Sequence, residues 1–444
     1  MTTLYCARWV LPDATNSLEN GALAIVGGAI AALGEQSELR QQFPSAQLVD
    51  CGEAALMPGL VNCHTHLELT VMRGFLEDVE HDFFAWLGKL TAARNEHLTP
   101  EDLYISALWG AVEAARAGVT CVGDASAEGL TTLLALRATG LRGVSFIESF
   151  GPDPALAREN FARLEEQIAA MRELETPLAG IGVSPHAPYT VSPQQLALIA
   201  DYALAENLPV MMHAAESAAE DELLRYGSGP FAARLAQRGI TWRAPQMSPV
   251  QYLKQTGLLQ TRLLLAHCVR TDEADWETLL EYDTAIAHCP KSNAKLNNGR
   301  APWAAFLRRG LRVGLGSDSV AGNNTCDVLE EARFAMLLAR AGGDFVSLPE
   351  AFAAATEGGA RALRMETQIG ALTPGRQADF IAVALEGAHQ IPLHDPRAAV
   401  IAASSGRDVK LTVVAGREIY RDGQMLTVDE PELKERARRI AAKL

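Results

Sequence analysis

Apolar and polar residues are distributed in a repeating block pattern. Eight apolar, β-rich runs each end on a polar residue, and a helical pattern usually follows. They are 56–64, 118–124, 143–149, 180–186, 208–213, 262–268, 283–289 and 311–318. Near-continuous apolar strands are those of a parallel sheet covered on both faces. The helices between them carry start and stop signals. Thr99-Pro100-Glu101-Asp102 opens one whose Leu103, Ala107, Leu108, Ala111, Val112 and Ala115 share a face, and Gly118 ends it. Eight such units predict an α/β chain, a (β/α)8 TIM-like barrel, with its chemistry at the C-terminal strand ends.

The flanks have another rhythm. Leu4 to Val10, Gly21 to Gly27 and Ala29 to Leu33 read as strands, and Gly27-Gly28 is a hairpin signal. Gly370 to Ala384, Val413 to Tyr420 and the turn Asp422-Gly423 answer them near the other end, before a helix near Pro431–Lys443. A small β-sandwich domain from residues 1–57 and 366–444 is therefore expected around a barrel of 58–365. One segment breaks the barrel rhythm. Glu222 to Gly257 contains Gly227, Gly229, Pro230, Pro245 and Pro249. It is long for a connection, and reads either as a lid or substrate contact or as a plain surface excursion.

Composition narrows the class. With 444 residues, 48% hydrophobic and 21% charged, the chain has an ordinary globular balance. Its net charge of −15 argues against nucleic acid and anionic membranes as partners. Seven cysteines without a Cys-x-x-Cys fit a reducing, cytoplasmic setting. The start lacks a basic, apolar leader, and no apolar run reaches the ~18 residues of a membrane span.

The strand ends carry the chemistry. His64, His66, Asp124, Glu148, His186, His213, His267, His288 and Asp318 all lie there, six of the chain's ten histidines among them. His64 and His66 are one residue apart, so on a strand both point the same way. Alone, such a pair is more often two satisfied polar side chains than a ligand pair. The convergence of the others favours a metal. His64, His66, His213 and Asp318 form a three-nitrogen, one-oxygen set suited to one Zn²⁺, with Fe²⁺ as the alternative. Such an ion lowers the pKa of a coordinated water from 15.7 to about 7. Asp318 is placed to take the proton. Glu216, three residues after His213, is a candidate proton shuttle, and His267 a candidate partner of the water and the attacked centre. Between His66 and His213 the only lysine is Lys89, outside every strand. A carboxylated lysine bridging two ions is thus not expected, and one ion is.

These residues resemble the amidohydrolase superfamily. The matching motifs are Pro58-Gly59-Leu60-Val61-Asn62-Cys63-His64-Thr65-His66, Ser184-Pro185-His186-Ala187-Pro188-Tyr189, His213-Ala214-Ala215-Glu216, Ala266-His267-Cys268-Val269, His288-Cys289-Pro290-Lys291-Ser292-Asn293 and Gly316-Ser317-Asp318. The set is similar to the branch of mononuclear deaminases and chlorohydrolases. That resemblance implies His64, His66, His213 and Asp318 as metal ligands, Glu216, His267 and Asp318 as acid–base residues, and His186 as a contact of the substrate ring.

The substrate implied is an adenine-type nucleoside that loses ammonia. Adenosylhomocysteine and methylthioadenosine deaminases carry a Trp-Leu segment followed by x-Pro-x-Glu, whose Glu holds the ribose. Here Trp86-Leu87 is present, but the Pro is missing and Arg94 appears. His66-Leu67-Glu68-Leu69, Phe84-Ala85-Trp86-Leu87, Arg94 and Ser248-Pro249-Val250-Gln251-Tyr252-Leu253 look more like aminodeoxyfutalosine deaminase of menaquinone biosynthesis. Arg94 or Arg73 would then meet a substrate carboxylate, with Trp86 over the base and Glu148 as a further contact. Hydrolysis of another heterocycle (triazine, guanine or pterin) and a non-catalytic scaffold are the alternatives. The expected partner is a small molecule, and the resemblance also admits a homo-oligomer.

Overall fold

A computed structural model of the chain describes residues 2–127 and 129–444. Eight parallel strands form a barrel. In chain order they are β1 (Leu60–Thr65), β2 (Val119–Ser126), β3 (Arg142–Ser149), β4 (Ala179–Pro185), β5 (Pro209–Ala214), β6 (Arg262–His267), β7 (Ala285–His288) and β8 (Arg312–Leu315). Each is hydrogen-bonded to the next, from β1 to β8. Side chains close the gap between the first and last. Asn62 donates to Ser317 Oγ at 2.8 Å and accepts from the Ser317 N–H at 3.0 Å. The Asp318 N–H donates to the His64 carbonyl at 2.9 Å.

Every expected barrel strand is present, for the anticipated reason. Their residues are apolar because helices cover the outside and side chains fill the inside. The helix Pro100–Arg116 shows the local logic. Thr99 and Asp102 form a reciprocal capping box, Leu103, Ala107, Leu108, Ala111, Val112 and Ala115 are buried, and Gly118 turns the chain with φ +82°.

The run Ala54 to Val61 is not one strand. Ala54–Pro58 pairs antiparallel with Phe380–Ala384 in the second sheet, and only from Leu60 does the chain enter the barrel. Gly59 is the pivot. A Cβ there would lie 2.0 Å from Thr120 Oγ1, so no side chain fits where the two sheets touch. Two buried strands in succession read as one apolar run, which is why the break is invisible in the pattern.

The second sheet has nine strands from both ends of the chain. It folds over so that Tyr5, Leu23, Ile25 and Leu56 share a core with Phe380, Ala382, Leu411 and Val413. Gly27 and Gly28, at φ +58° and +84°, turn the hairpin between Leu18–Val26 and Ala29–Glu35. The stretch expected as one strand from Gly370 is strand only over Phe380–Ala384. Val413 to Tyr420 is divided by a turn at Ala415-Gly416, with φ +47° and +76°. The last helix, Glu430–Ala441, returns to the barrel: Glu430 pairs with Arg116, and Lys443 with Asp102.

Residues 222–257 are more regular than their glycines and prolines suggest. Ala218–Tyr226 and Gly229–Gln237 are helices. Gly227 ends the first with φ +68°, and Gly229-Pro230 begins the second. Except for Pro245, which lies in an irregular stretch, the apparent breakers are helix ends.

Candidate metal centre and acid–base pocket

The barrel brings the expected ligands together. His64 and His66 leave the end of β1 with ring centroids 4.8 Å apart. His213, at the end of β5, places Nε2 3.1 Å from His66 Nε2. Asp318 follows β8, and its Oδ1 stands 3.5 Å from Nε2 of both His64 and His66. Its backbone has φ +58°, a left-handed turn held by the bond to His64. Ser292 Oγ donates to Oδ2 at 2.5 Å and the Ser319 N–H to Oδ1 at 2.6 Å, so the carboxylate is fixed on both oxygens.

These residues fit a divalent cation. Bonds of 2.0–2.1 Å in a tetrahedron separate ligand atoms by about 3.3 Å, and the His66–His213, His64–Asp318 and His66–Asp318 separations are 3.1, 3.5 and 3.5 Å. His64 Nε2 is buried without a hydrogen-bond partner, an unfavourable place for a lone pair unless an ion takes it. The ring orientations agree. His213 Nδ1 donates to the His186 carbonyl at 2.8 Å, which leaves Nε2 with its lone pair. Burial pushes the pKa of His66 down to about 3 and that of His213 well below its usual value, so the imidazoles are neutral. Burial opposes ionisation of Asp318, but His64, His267 and His66 hold its pKa well below the usual carboxylate range.

Beside the ligands lies a proton-handling pair. After β5 the chain turns at Ala215, φ +53°. The Glu220 carboxyl accepts the N–H of Ala215 at 2.8 Å and of Glu216 at 2.9 Å, pinning that turn. It presents the Glu216 side chain to His267, whose Nε2 lies 3.7 Å from Oε1. Asn298 donates to the same oxygen at 3.1 Å. Burial raises the Glu216 pKa to about 7, against His267 and Asn298 and with Asp318. Such a carboxyl holds and releases a proton near neutral pH. His267 Nδ1 faces Asn293 Oδ1 at 2.9 Å, so its Nε2 lone pair points into the pocket.

A cavity of about 610 Å³ opens over this cluster. His186, Glu148, Trp86 and Arg94 all line it. His186 is held by Thr190 Oγ1 at 2.8 Å and leans on Phe150. Burial, with Glu68, raises the Glu148 pKa to about 8. One expectation needs correction, that of Arg73, and two expected contacts have close neighbours of their own. Trp86 is 6% exposed, packs among Leu69, Met72 and Leu90, and lines the cavity. Arg94 does not offer a free charge, because Glu68 sits 3.3 Å from it. Arg73 pairs with Glu113 and does not line the cavity.

Two strand-end residues also turn away. Asp124 accepts from the Leu67 N–H at 2.7 Å and from Thr132, and His288 stacks on Trp303. The segment 222–257 does contribute, through Phe231, Arg234, Leu235 and Arg238. Residue-by-residue reasoning passed over Glu220 and Asn298. Ser217-x-x-Glu220 has capping-box spacing and could have flagged the first; nothing local marks the second.

A barrel with this cluster at its C-terminal rim defines a class of metal-assisted hydrolases. The chain belongs to the Amidohydrolase family, whose pattern matches residues 55–419. It is similar to a 5-methylthioadenosine/S-adenosylhomocysteine deaminase of Pelotomaculum thermopropionicum, with 33% identity over 96% of this chain and 94% of that protein. A protein of the same name from Syntrophobacter fumaroxidans is 35% identical, over 95% and 93%. Among solved structures, an adenosine deaminase from Xanthomonas campestris with bound zinc superposes with TM-score 0.86 at 29% identity, covering 99% of this chain and 98% of that one. An atrazine chlorohydrolase from Arthrobacter aurescens complexed with zinc shares the fold at 21% identity and TM-score 0.83, covering 99% of this chain and all (100%) of that one.

Proposed function

We propose that the protein is a metal-dependent hydrolytic deaminase of an adenine nucleoside. The observation that carries this reading is the buried Glu216 carboxyl, poised near neutrality beside His267 at the edge of the three-histidine, one-aspartate cluster. The similarity to deaminases of adenine nucleosides supports it. His64, His66, His213 and Asp318 would hold one divalent ion, Zn²⁺ by the donor set. Bound there, the ion would activate water and stabilise negative charge on the attacking oxygen.

The side chains perform the proton transfers. Glu216, protonated, donates to the ring nitrogen next to the amino-bearing carbon and makes that carbon electrophilic. Asp318 and His267 receive the proton lost by the attacking water. As the tetrahedral centre collapses, the proton taken from the water passes on to the amino group, which leaves as ammonia, and the remaining hydroxyl proton returns to Glu216 as the carbonyl forms. General acid–base transfer of this kind contributes on the order of 10²–10⁴-fold.

The finer reading is a nucleoside with a large 5′ substituent: 6-aminodeoxyfutalosine, S-adenosylhomocysteine or methylthioadenosine. Phe84 and Phe231 form an aromatic wall of the cavity, and Arg234 lies 5.7 Å over Phe84. An apolar or aromatic extension that ends in a carboxylate suits that wall. Ammonia release across adenosine, methylthioadenosine, S-adenosylhomocysteine and 6-aminodeoxyfutalosine, with a chlorinated triazine alongside, tests both levels. Silence on every adenine compound ends the proposal, and turnover of the triazine alone moves the chemistry to another leaving group.

A further inference from the structure

The outer nitrogen of one metal-ligand histidine rests on sulfur. His64 Nδ1 lies 3.1 Å from Met211 Sδ, and both side chains are wholly buried. Met211 stands two positions before His213 on β5, so both point into the barrel. There it packs with Cys63, Phe146 and Leu264. Met212, between the two, faces the helices instead. Met211 is not among the described residues that line the cavity, so it meets no substrate. Any effect it has on the reaction runs through His64.

The sulfur decides where the ring proton sits. A buried imidazole is neutral and carries one proton, on Nδ1 or on Nε2. Nε2 faces Asp318 Oδ1 at 3.5 Å. A proton drawn there by the carboxylate would cover the lone pair that a cation needs. A thioether accepts a hydrogen and has none to give. At 3.1 Å a lone pair on Nδ1 would confront the lone pairs of the sulfur, whereas an Nδ1–H is stabilised by them. The contact therefore favours the Nδ1–H form and turns the Nε2 lone pair to the cluster. His213 reaches the same form through oxygen, since its Nδ1 donates to the His186 carbonyl at 2.8 Å. Such partners of the outer nitrogen fix both the orientation and the tautomer of a metal-binding histidine.

We infer that Met211 is a positioning residue of the metal centre: its thioether holds His64 in the tautomer that presents a lone pair to the cation. This rests on the metal-dependent reading above. It gives a part in the reaction to an apolar side chain inside the barrel that touches neither substrate nor proton donor.

The test compares Met211→Leu with Met212→Leu, the same change on neighbouring residues, one against His64 and one turned away from it. Leucine keeps the volume of methionine but cannot accept a hydrogen bond. Zinc affinity is measured by competition with a chelator of known strength. It should fall roughly tenfold to a hundredfold in Met211→Leu and stay within about threefold of the parent in Met212→Leu. The metal-free variants should unfold within about 3 °C of each other, which separates lost affinity from lost folding. Unchanged affinity in Met211→Leu, or an equal loss in both variants, would overturn the inference. Should Met211→Leu fail to fold, the metal-free parent labelled with nitrogen-15 histidine decides the matter. The ring signal that vanishes in His64→Asn should carry its proton on Nδ1, and a proton on Nε2 would refute the role of Met211. The same spectrum separates this inference from the reading beneath it. If the parent binds no zinc, the metal centre has failed, and the place of the His64 proton still supports or refutes the part given to Met211.

Discussion

Glu216 Oε1 lies 3.7 Å from His267 Nε2, and both groups are almost wholly buried. Neither residue is needed to complete the four-ligand set, so the chemistry can be separated from metal binding. Glu216→Gln keeps the shape and the Asn298 contact but cannot supply the proton. The expected outcome is full metal content with turnover reduced on the order of 10²–10⁴-fold. Metal analysis and ammonia release on one preparation check it. Unchanged turnover would show that the proton comes from elsewhere.

The raised pKa of Glu216 sets the pH profile. Burial moves it to about 7, so the carboxyl is protonated below that value and ionised above it. As a proton donor it works only in the protonated form. Turnover should therefore fall as pH rises through about 7, approaching tenfold per unit. In Glu216→Gln this alkaline limb should vanish from the residual activity. A parent profile flat from pH 6 to 9 would contradict the acid role.

Much of this site was legible before any coordinates. The polar residue that ends each apolar run is a local signal, and seven of the nine strand-end residues do gather at the cavity or its ligand cluster. Periodicity could not say which way Asp124 and His288 turn, because the last residue of a strand has no obligatory face. Nor could it show that Arg94 meets Glu68, since that contact joins a turn and a helix through two long side chains. Asn298 reaches Glu216 from 82 positions away. The break at Gly59 was hidden for a different reason: a strand buried in one sheet has the same composition as a strand buried in the next.

The short His66–His213 contact predicts that a bound cation stabilises the fold. Two neutral ring nitrogens 3.1 Å apart gain only if a cation or a proton lies between them. We expect one divalent ion per chain, because the end of β4 offers His186 and no lysine. A ligand present at 100 times its Kd adds about 2.7 kcal/mol to the folded state. Chelation should lower Tm and abolish ammonia release, and zinc or iron should restore both. Two ions per chain, or a Tm unmoved by chelation, would contradict the single-ion centre.

The barrel and the terminal sheet are joined by a buried ion pair, whose disruption should destabilise the fold. Arg142, the first residue of β3, is 2% exposed. It grips Asp379 through Nε at 2.8 Å and a terminal nitrogen at 3.0 Å, and also reaches Gln377. Asp379 further accepts the Ala415 N–H at 2.8 Å, so its carboxylate is satisfied only while all partners remain. Arg142→Met would leave that carboxylate buried and uncompensated, at a cost of about 3–5 kcal/mol. Adding Asp379→Leu removes the stranded charge and should recover part of the loss, since an apolar pair can replace a buried ion pair. Thermal unfolding of the two variants checks this. A double variant less stable than Arg142→Met would show that Asp379 holds the Ala415 turn more strongly than it burdens the interior.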